Sequence, residues 1–374
     1  MLQILNINPF IEAMFYYWGR ANDERSDKKY SDAIRRFPTR RDEIKKAADT
    51  AAMLEKRLDS KLKINESLIP KYFKKIESDK EDITSGLTGF CLASAILSNS
   101  VLCHLQMSPE EMNTYLHKMK STERMQSFLL NISLKYEGVP PTQKKPEDVS
   151  NLLASLPIPD GKKYLILDAF FNYKPYLAEV LSLIMPAAKI IKASEDIYKS
   201  AEEKFKTIYS GDDAMTLCES CFNNFPKFPD LKVIRAVPLL LGFDIAYGHF
   251  RSETEKDDEN NIQTYTVIDS CIGLIRHIRG NYTPQDEITL ISESMKTLSD
   301  SKRLEMLFYL CSHRAYGQEL CNEFDLKQPT MSYHIQKLMY AGFVTVEISG
   351  NKTYYTADKD GIRRMLDVLS EKIK

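Results

Sequence analysis

The last quarter of the chain carries the pattern that most constrains its fold. Between residues 328 and 340, Met331, Ile335, Leu338 and Met339 recur at helical spacing and predict a helix with one buried face. Gly342 follows at the position where a helix can end in the left-handed conformation. The pattern therefore predicts a helix that is anchored on one side and stops abruptly.

The residues around this helix predict a compact unit of helices and a hairpin. A short hairpin is predicted after Gly342, with strands 344–348 and 352–356 joined by the turn 349–351. Ser299 or Asp300 is placed to cap the start of the helix that carries Leu304 and Leu307. The apolar residues of the other predicted helices fall into three stripes: Ile288, Ile291, Met295 and Leu298; Leu304, Leu307, Phe308 and Cys311; Ile362, Met365, Leu366, Leu369 and Ile373. With a short helix over 317–324, this order predicts a winged helix-turn-helix.

The side of the 328–340 helix opposite its apolar stripe is rich in side chains that read base edges. A major groove admits one helix, which must be held by an apolar face while its other face meets the bases. The predicted outward residues are Gln328, Thr330, Ser332, Tyr333, His334, Gln336 and Lys337. Amides pair with adenine, a threonine methyl meets a thymine methyl, and lysine takes guanine or phosphate. Lys302 or Arg303 is predicted to contact phosphates, and the turn residues Ser349, Asn351 and Lys352 are predicted to lie near the flanking backbone or the minor groove.

Charge agrees with local rather than broad contacts to DNA. Residues 286–374 hold 12 Lys and Arg against 13 Asp and Glu, so this region is not basic. Between Leu326 and Val346, however, no acidic residue occurs, whereas Lys327, His334 and Lys337 do. We therefore expect a few symmetric phosphate contacts from a homodimer on double-stranded DNA.

Several of these motifs, taken in order, resemble the ArsR/SmtB winged-helix repressors. The resemblance rests on 299–307, the Glu319-Leu-Cys321 step, the 328–338 helix and the Ala341-Gly-Phe-Val344 step, and covers roughly 286–370. It implies a homodimer whose terminal helices pack together, and a transcriptional regulator often released from DNA by a ligand.

The chain departs from the metal-sensing members of that family. They carry two cysteines one residue apart after the Glu-Leu step, whereas Cys321 is followed here by Asn322 and Glu323, and the last helix holds no His. A closed thiolate site needs three or four nitrogen and sulfur donors, so no metal or cofactor is predicted. Cys218 and Cys221 have the spacing of half a zinc site or a redox pair, but two free thiols are the simpler interpretation.

The region before residue 284 is predicted to be larger and mostly helical. We expect a helical region over 1–140, an α/β region over 141–283 and the DNA-binding domain over 284–374. Residues 231–247 and 262–275 predict a β-hairpin with an acidic tip, as part of an effector or dimerisation domain. Residues 164–171 fit a strand or a buried helix, and Pro186 predicts a kink or break in a helix over 176–205. The fold class is thus α+β.

Composition sets the remaining expectations. The 374 residues are 43% hydrophobic, lack an 18-residue apolar run, and include seven scattered cysteines, which together favour a cytoplasmic protein without a membrane span. The basic run 20–63, with 14 Lys and Arg against 9 acids, is interpreted as a solvated face, with an auxiliary DNA contact as the minority view. The aromatic segment from Phe15 to Trp18 is interpreted as part of the core or of a dimer contact, in preference to the lining of a ligand pocket.

No catalytic motif is present, and the chain is predicted not to be an enzyme. It contains no P-loop, no G-x-G-x-x-G, no H-E-x-x-H and no G-x-S-x-G, and nothing in the sequence brings Asp168, Asp244 and His249 together. Two alternatives stay open: the N-terminal region could be an enzyme or a small-molecule sensor, with the winged helix as its regulatory or protein-binding module. The effector is not identified by the sequence.

Overall fold

The computed structural model describes most of the chain. Its described residues are 1–76, 91–125, 127–128, 146–155, 158–222, 230–256, 262–280, 284–349 and 352–373. None of the helices within these ranges is both long enough and apolar enough to cross a membrane.

Eleven α-helices are described before residue 230, after one short strand, β1 (Leu2–Ile4). The helices are α1 (Pro9–Asn22), α2 (Ser26–Arg36), α3 (Arg41–Lys61), α4 (Leu68–Phe73), α5 (Leu92–Leu102), α6 (Pro109–Lys118), α7 (Pro146–Ser155), α8 (Asp160–Phe171), α9 (Tyr173–Lys192), α10 (Glu195–Ile208) and α11 (Ala214–Ser220). A 3₁₀ turn, Pro38–Arg40, joins α2 to α3. The mostly helical character expected here is confirmed for the described residues.

Two helices resolve choices that the sequence left open. Residues 164–171 belong to α8 and are therefore helical, not a strand. Helix α9 runs from Tyr173 through Pro186 to Lys192, so the helix does not break at the proline. Leu183, Ile184, Ala187 and Ala188 are buried on both sides of the proline. Burial on both sides offsets the cost of about 3 kcal/mol that an internal proline carries.

The N-terminal sheet has four strands in the order β1, β2 (Leu231–Leu239), β4 (Ile262–Gly273) and β3 (Ala246–Lys256). β1 is parallel to β2, β2 is parallel to β4, and β3 is antiparallel to β4. The predicted strand 231–247 is thus two elements, and the antiparallel pair is β3 with β4. Gly273 lies so close to Phe243 that a Cβ atom there would meet backbone at 2.4 Å. The turn before β3 is therefore packed against the end of β4, which separates β2 from the hairpin.

One continuous core unites the helices and this sheet. Its buried apolar residues run from Ile7 to Ile278 and include Phe10, Tyr17 and Phe243. The aromatic segment Phe15 to Trp18 is part of this core, as the simpler interpretation had it. A second 3₁₀ turn, Arg276–Gly280, leads out of this core toward the C-terminal region.

The described C-terminal region contains five helices and three strands, including a two-residue strand, Ala315–Tyr316, that the sequence did not indicate. It consists of α12 (Pro284–Leu298), α13 (Ser301–Ser312), β5 (Ala315–Tyr316), α14 (Gly317–Phe324), α15 (Gln328–Tyr340), β6 (Val344–Ser349), β7 (Lys352–Ala357) and α16 (Lys359–Ile373). Asp300 caps α13 by accepting from the Arg303 amide, and Gly342 has φ +74°. β5, β7 and β6 form a small antiparallel sheet.

This region has its own small core, and its helix α12 packs against the N-terminal region. The core is built on Met306, Leu307, Leu320, Met331 and Leu338, all nearly inaccessible to solvent. Helix α12 packs against α13 and α15 on one side and against α2 and the turn Pro38–Arg40 on the other. α12 is therefore the described helix that links the two regions.

Candidate nucleic-acid interface

Helix α15 is held by one apolar face. Met331, Ile335 and Leu338 are each at most 1% exposed and lie in the C-terminal core. α14 and α13 both pack against α15, which is the arrangement of a helix-turn-helix. The buried stripe predicted from the sequence is confirmed for these three residues, while Met339 is only partly buried. The opposite side of the helix is consequently turned away from the core.

That opposite side carries five of the residues singled out by the sequence. Thr330 is exposed, and Ser332, Tyr333, Gln336 and Lys337 are partly exposed. The Lys337 ammonium lies 5.4 Å from the centre of the Tyr333 ring, a cation–π distance. The helix thus presents hydroxyl, amide, aromatic and cationic groups on one surface, each with a type of contact available to a base edge or a phosphate.

Gln328, at the start of α15, has a second role that the sequence did not indicate. The Cys321 thiol donates to its side-chain oxygen at 3.0 Å, across the turn between α14 and α15. Gln328 remains partly exposed. Burial raises the pKa of the Cys321 thiol, so this cysteine stays protonated and acts as a donor.

His334 is placed differently from its predicted outward position. It is 9% exposed, and its Nδ1 lies 3.8 Å from a carboxylate oxygen of Asp300, the cap of α13. Burial lowers the pKa of His334, while Asp300 opposes that shift and Arg303 and Lys302 add to it. The inward position follows from helical geometry, because residue 334 is adjacent to Ile335 and one turn from Met331 and Leu338.

Lys302 and Arg303 lie in the first turn of α13, and both charges act on His334 of α15. Lys302 is bonded to Glu305 at 3.1 Å and is partly exposed. Arg303 is less available, because its Nε donates to the Thr297 carbonyl at 2.6 Å and its side chain is 12% exposed. Of these two predicted backbone contacts, Lys302 presents the more accessible charge.

The β6–β7 hairpin brings Ser349 and Lys352 together at its end. They are paired in the antiparallel register, one residue from the turn. Asn351, the third predicted residue of this turn, lies outside the described residues.

The hairpin is braced by a residue that sequence reasoning missed. Arg314 stacks 3.9 Å over the Tyr354 ring and bonds to Glu347 at 2.9 Å. Residue 314 precedes β5, which pairs with β7, so a contact across 40 positions brings these groups together. No local signal in the sequence could have indicated it.

The cysteines show no metal site in the part of the chain that is described. No group of three or more His, Cys, Asp or Glu side chains that could hold a metal ion occurs among those residues. Cys218 and Cys221 are both buried and are not joined by a disulfide, and the Tyr209 hydroxyl lies 2.8 Å from the Cys221 sulfur. Burial raises the pKa of the Cys218 thiol, which disfavours the reactive thiolate.

Comparison with known proteins assigns the C-terminal region. The family described as "Bacterial regulatory protein, arsR family" matches residues 300–346. The arsenical resistance operon repressor of Staphylococcus xylosus is 34% identical over 83 residues, which are 21% of this chain and 80% of that protein. The repressors of the same name from Bacillus subtilis and Staphylococcus aureus are 28% identical over 85 residues and 38% identical over 65, covering 81% and 62% of their lengths. No solved structure matches the chain.

The fold and the matched residues define a helix-turn-helix protein of the transcription-regulating class. The chain belongs to the arsR family of bacterial regulatory proteins, and its membership rests on the C-terminal region. These relatives are regulators and not enzymes, but they cover only about a fifth of the chain. The N-terminal region is therefore left unassigned by the comparisons.

Proposed function

We propose that this protein is a DNA-binding transcriptional repressor that reads the major groove with α15. The observation that carries the proposal is that α15 is amphipathic. It has a buried apolar stripe and an opposite surface of polar and cationic groups. The family supports it, since two of the relatives named above are at least 34% identical and are named as operon repressors. In this proposal, residues 284–374 are the DNA-binding domain.

Within this proposal, the residues of α15 divide by accessibility. Thr330, Tyr333 and Gln336 contact base edges, with Gln328 and Ser332 at the margin of the surface. Lys337 and Lys302 fix the position of the helix on phosphates. The β6–β7 hairpin acts as the wing, with Ser349, Asn351 and Lys352 next to the flanking backbone. His334 and Arg303 support α15 and α13 from within, and contact DNA less than their sequence position suggested.

A homodimer completes the proposed site. Two-fold operators need two-fold proteins, and two recognition helices enter successive major grooves about one helical turn apart. Exposed large apolar residues suited to a dimer interface lie on the first and last helices of the region. Ile288 and Met295 on α12 are 46% and 52% exposed, and Leu366 on α16 is 52% exposed. Pairing of these helices would remove that apolar surface from water.

The N-terminal region is proposed to regulate the DNA-binding domain. The supporting observation is the packing of α12 against α2 and the turn Pro38–Arg40. A shift of α2 or of that turn would therefore change the position of α12. A small-molecule effector could act through this contact only by binding the DNA-competent and incompetent states with different affinity.

The proposal is tested by fluorescence-anisotropy binding of the full chain to the DNA upstream of its own coding region. A salt series and a random duplex of equal length are run in parallel. We expect tighter binding to the upstream DNA, and Lys337→Ala should lower the slope of log affinity against log salt by about 0.9 for each lost phosphate contact. Binding that is equally weak for both duplexes at every salt concentration would contradict the proposal.

A further inference from the structure

The proposed DNA-binding region has no net positive charge. Residues 286–374 have one more acidic than basic side chain, and Arg303 and Arg314 are already engaged in ion pairs. Phosphate neutralisation by Lys and Arg supplies much of the affinity of a protein for DNA. Cations from elsewhere in the molecule would therefore strengthen binding if they lay beside the DNA.

The basic run 20–63 contains such cations, and they differ in burial and in ion pairing. Lys29 is buried and donates to the Leu241 carbonyl at 2.5 Å. Most of its arginines are occupied by carboxylates: Arg20 by Glu66, Arg25 by Asp59, Arg35 by Asp32, Arg40 by Glu43 and Arg57 by Asp196. These carboxylates offset the charges of the five arginines.

Three residues at the start of α3 are different. Arg41, Lys45 and Lys46, here called the junction patch, are all exposed, and none of their side chains forms an ion pair or hydrogen bond with another described residue. They lie away from the face of α3 that buries Ile44 and Ala48. Arg41 and Lys45 are one helical turn apart and therefore share a face. The patch is a compact, solvated group of three positive charges.

The junction patch is close to the proposed DNA interface. It follows directly on the turn Pro38–Arg40, and that turn packs against α12. α12 in turn packs against α15. Helix α12 has 15 residues and spans about 22 Å, and it connects the turn beside the patch to the recognition helix. A connection of that length is of the same order as one turn of duplex, about 34 Å.

We propose that the junction patch binds the phosphate backbone of the DNA that flanks the segment read by α15. This inference rests on the proposed function and extends the DNA site onto the N-terminal region. It assigns the patch a sequence-independent role: the three side chains neutralise phosphates and lengthen the contacted duplex without reading bases. Contact on both sides of α12 would also make DNA binding sensitive to the orientation of the N-terminal region.

The far end of the same helix, together with the residues just after it, offers a matched control. Lys56, Lys61 and Lys63 are equally exposed and belong to the same basic run, but they lie 10 or more residues further along, at least about 15 Å from the patch. The test compares Arg41→Gln/Lys45→Gln/Lys46→Gln with Lys56→Gln/Lys61→Gln/Lys63→Gln. Both variants lose three positive charges, so an effect of net charge alone would appear equally in both.

The experiment measures binding of the full chain to upstream duplex by anisotropy across a salt series, with hydroxyl-radical footprinting of the same DNA. For the junction variant we expect the salt slope to fall by roughly 2 to 3 per bound protomer, at about 0.9 per phosphate, with loss of protection in the flank. The control variant should keep the wild-type slope and footprint. Thermal melting of each variant checks that both remain folded.

The outcomes separate this inference from the proposed function. If wild type binds and the junction variant matches it in slope and footprint, the inference is overturned and the proposed function stands. If the two variants lose the same slope, the effect is net charge and the inference is again overturned. If wild type binds no duplex, both the inference and the proposed function are overturned. An acidic protein would then be the better candidate for a partner of the patch.

Discussion

The two regions of the molecule use their polar side chains in opposite ways. In the N-terminal region, charged groups are buried and bound to the protein itself: Glu12 accepts from the backbone amides of Leu240 and Leu241, and Asp269 is held by Arg251 and Arg235. In the described C-terminal region, His334 is the one buried polar or charged residue, and the polar face of α15 is turned outward. Buried polar groups thus contribute to the structure of the N-terminal region, whereas in the described C-terminal region most polar groups face outward.

This difference explains why the sequence was informative in one region and not in the other. The polar surface of α15 is built on one helix, so its residues occur at helical spacing and form a pattern. Buried polar pairs such as Glu12 with Leu240 join residues 228 positions apart and leave no local pattern. The family comparison shows the same division, since it covers only the C-terminal region.

The largest expected effect is on the C-terminal core. Leu338→Ala removes a fully buried side chain beneath the recognition surface and should lower the free energy of unfolding of this region by about 2–5 kcal/mol, with loss of DNA binding. The control is Phe308→Ala, because Phe308 is 64% exposed and should cost far less. Chemical denaturation followed by a probe in the C-terminal region measures both. Equal losses would mean that residues 306–344 do not form an independent core.

The next effect tests the buried charge of the N-terminal region. Burial raises the pKa of Glu12 from 4.5 to about 7, against the two backbone amides and Lys29, which lower it. Because the unfolded chain releases this proton at lower pH than the folded chain does, stability falls as pH rises from about 4.5 to about 7, by about 3 kcal/mol in total. Denaturation of wild type and Glu12→Gln across this window should show the slope in wild type only.

A surface carboxylate provides the control for Glu12. Glu66 is 63% exposed and pairs with Arg20 in solvent, so Glu66→Gln should change stability by less than about 1 kcal/mol and leave the pH slope intact. A slope that survived in Glu12→Gln would assign the pH dependence to another buried group.

A smaller and more specific effect is expected on the recognition surface. Thr330→Ala should leave the stability unchanged, because the side chain is exposed, and should cost on the order of 1–3 kcal/mol at the upstream site with less on random DNA. Thr330 is a cleaner probe than Gln328, whose side chain also accepts from Cys321. Gln318→Ala, on the exposed face of α14, is the control. Equal losses on both duplexes would remove Thr330 from base reading.

The smallest expected effect concerns His334. Its pKa is lowered by burial, so the folded state binds this proton less readily than the unfolded state does, and the stability of the C-terminal region should fall as pH drops below about 6.5. His334→Asn should remove this dependence, whereas His313→Asn, at an exposed position, should keep it. Unfolding followed from pH 7.5 to 5.5 measures it. A wild-type stability that rises on acidification would show instead that the Asp300 pair dominates.

Much of the C-terminal region could be predicted, and the exceptions have a physical cause. The bounds of the helices Gly317–Phe324 and Gln328–Tyr340 agree with the sequence pattern, because capping, apolar spacing and Gly342 are local signals. His334 was expected outward, because apolar spacing alone does not show how far a core extends around a helix. Its burial depends on Asp300, which lies on a different helix.

The N-terminal region shows the limit more clearly. The sequence indicated helices and a hairpin there, but β2 was read together with the start of β3 as one strand. Whether two apolar segments pair antiparallel, or run parallel with a third, depends on contacts between Leu231–Leu239, Leu2–Ile4 and Ile262–Gly273, which are distant in the chain. The continuation of α9 through Pro186 likewise required burial on both sides.

The sequence by itself determined the class of the C-terminal region and the residues of its polar helix face, because helix spacing, capping and the glycine stop act over a few residues. Only the tertiary structure decided which of those residues are accessible, how Cys321 meets Gln328, and that α12 joins α15 to the turn before α3. Those facts depend on contacts between segments far apart in the chain, and the free energy of such contacts comes from burial and hydrogen bonding in the folded state.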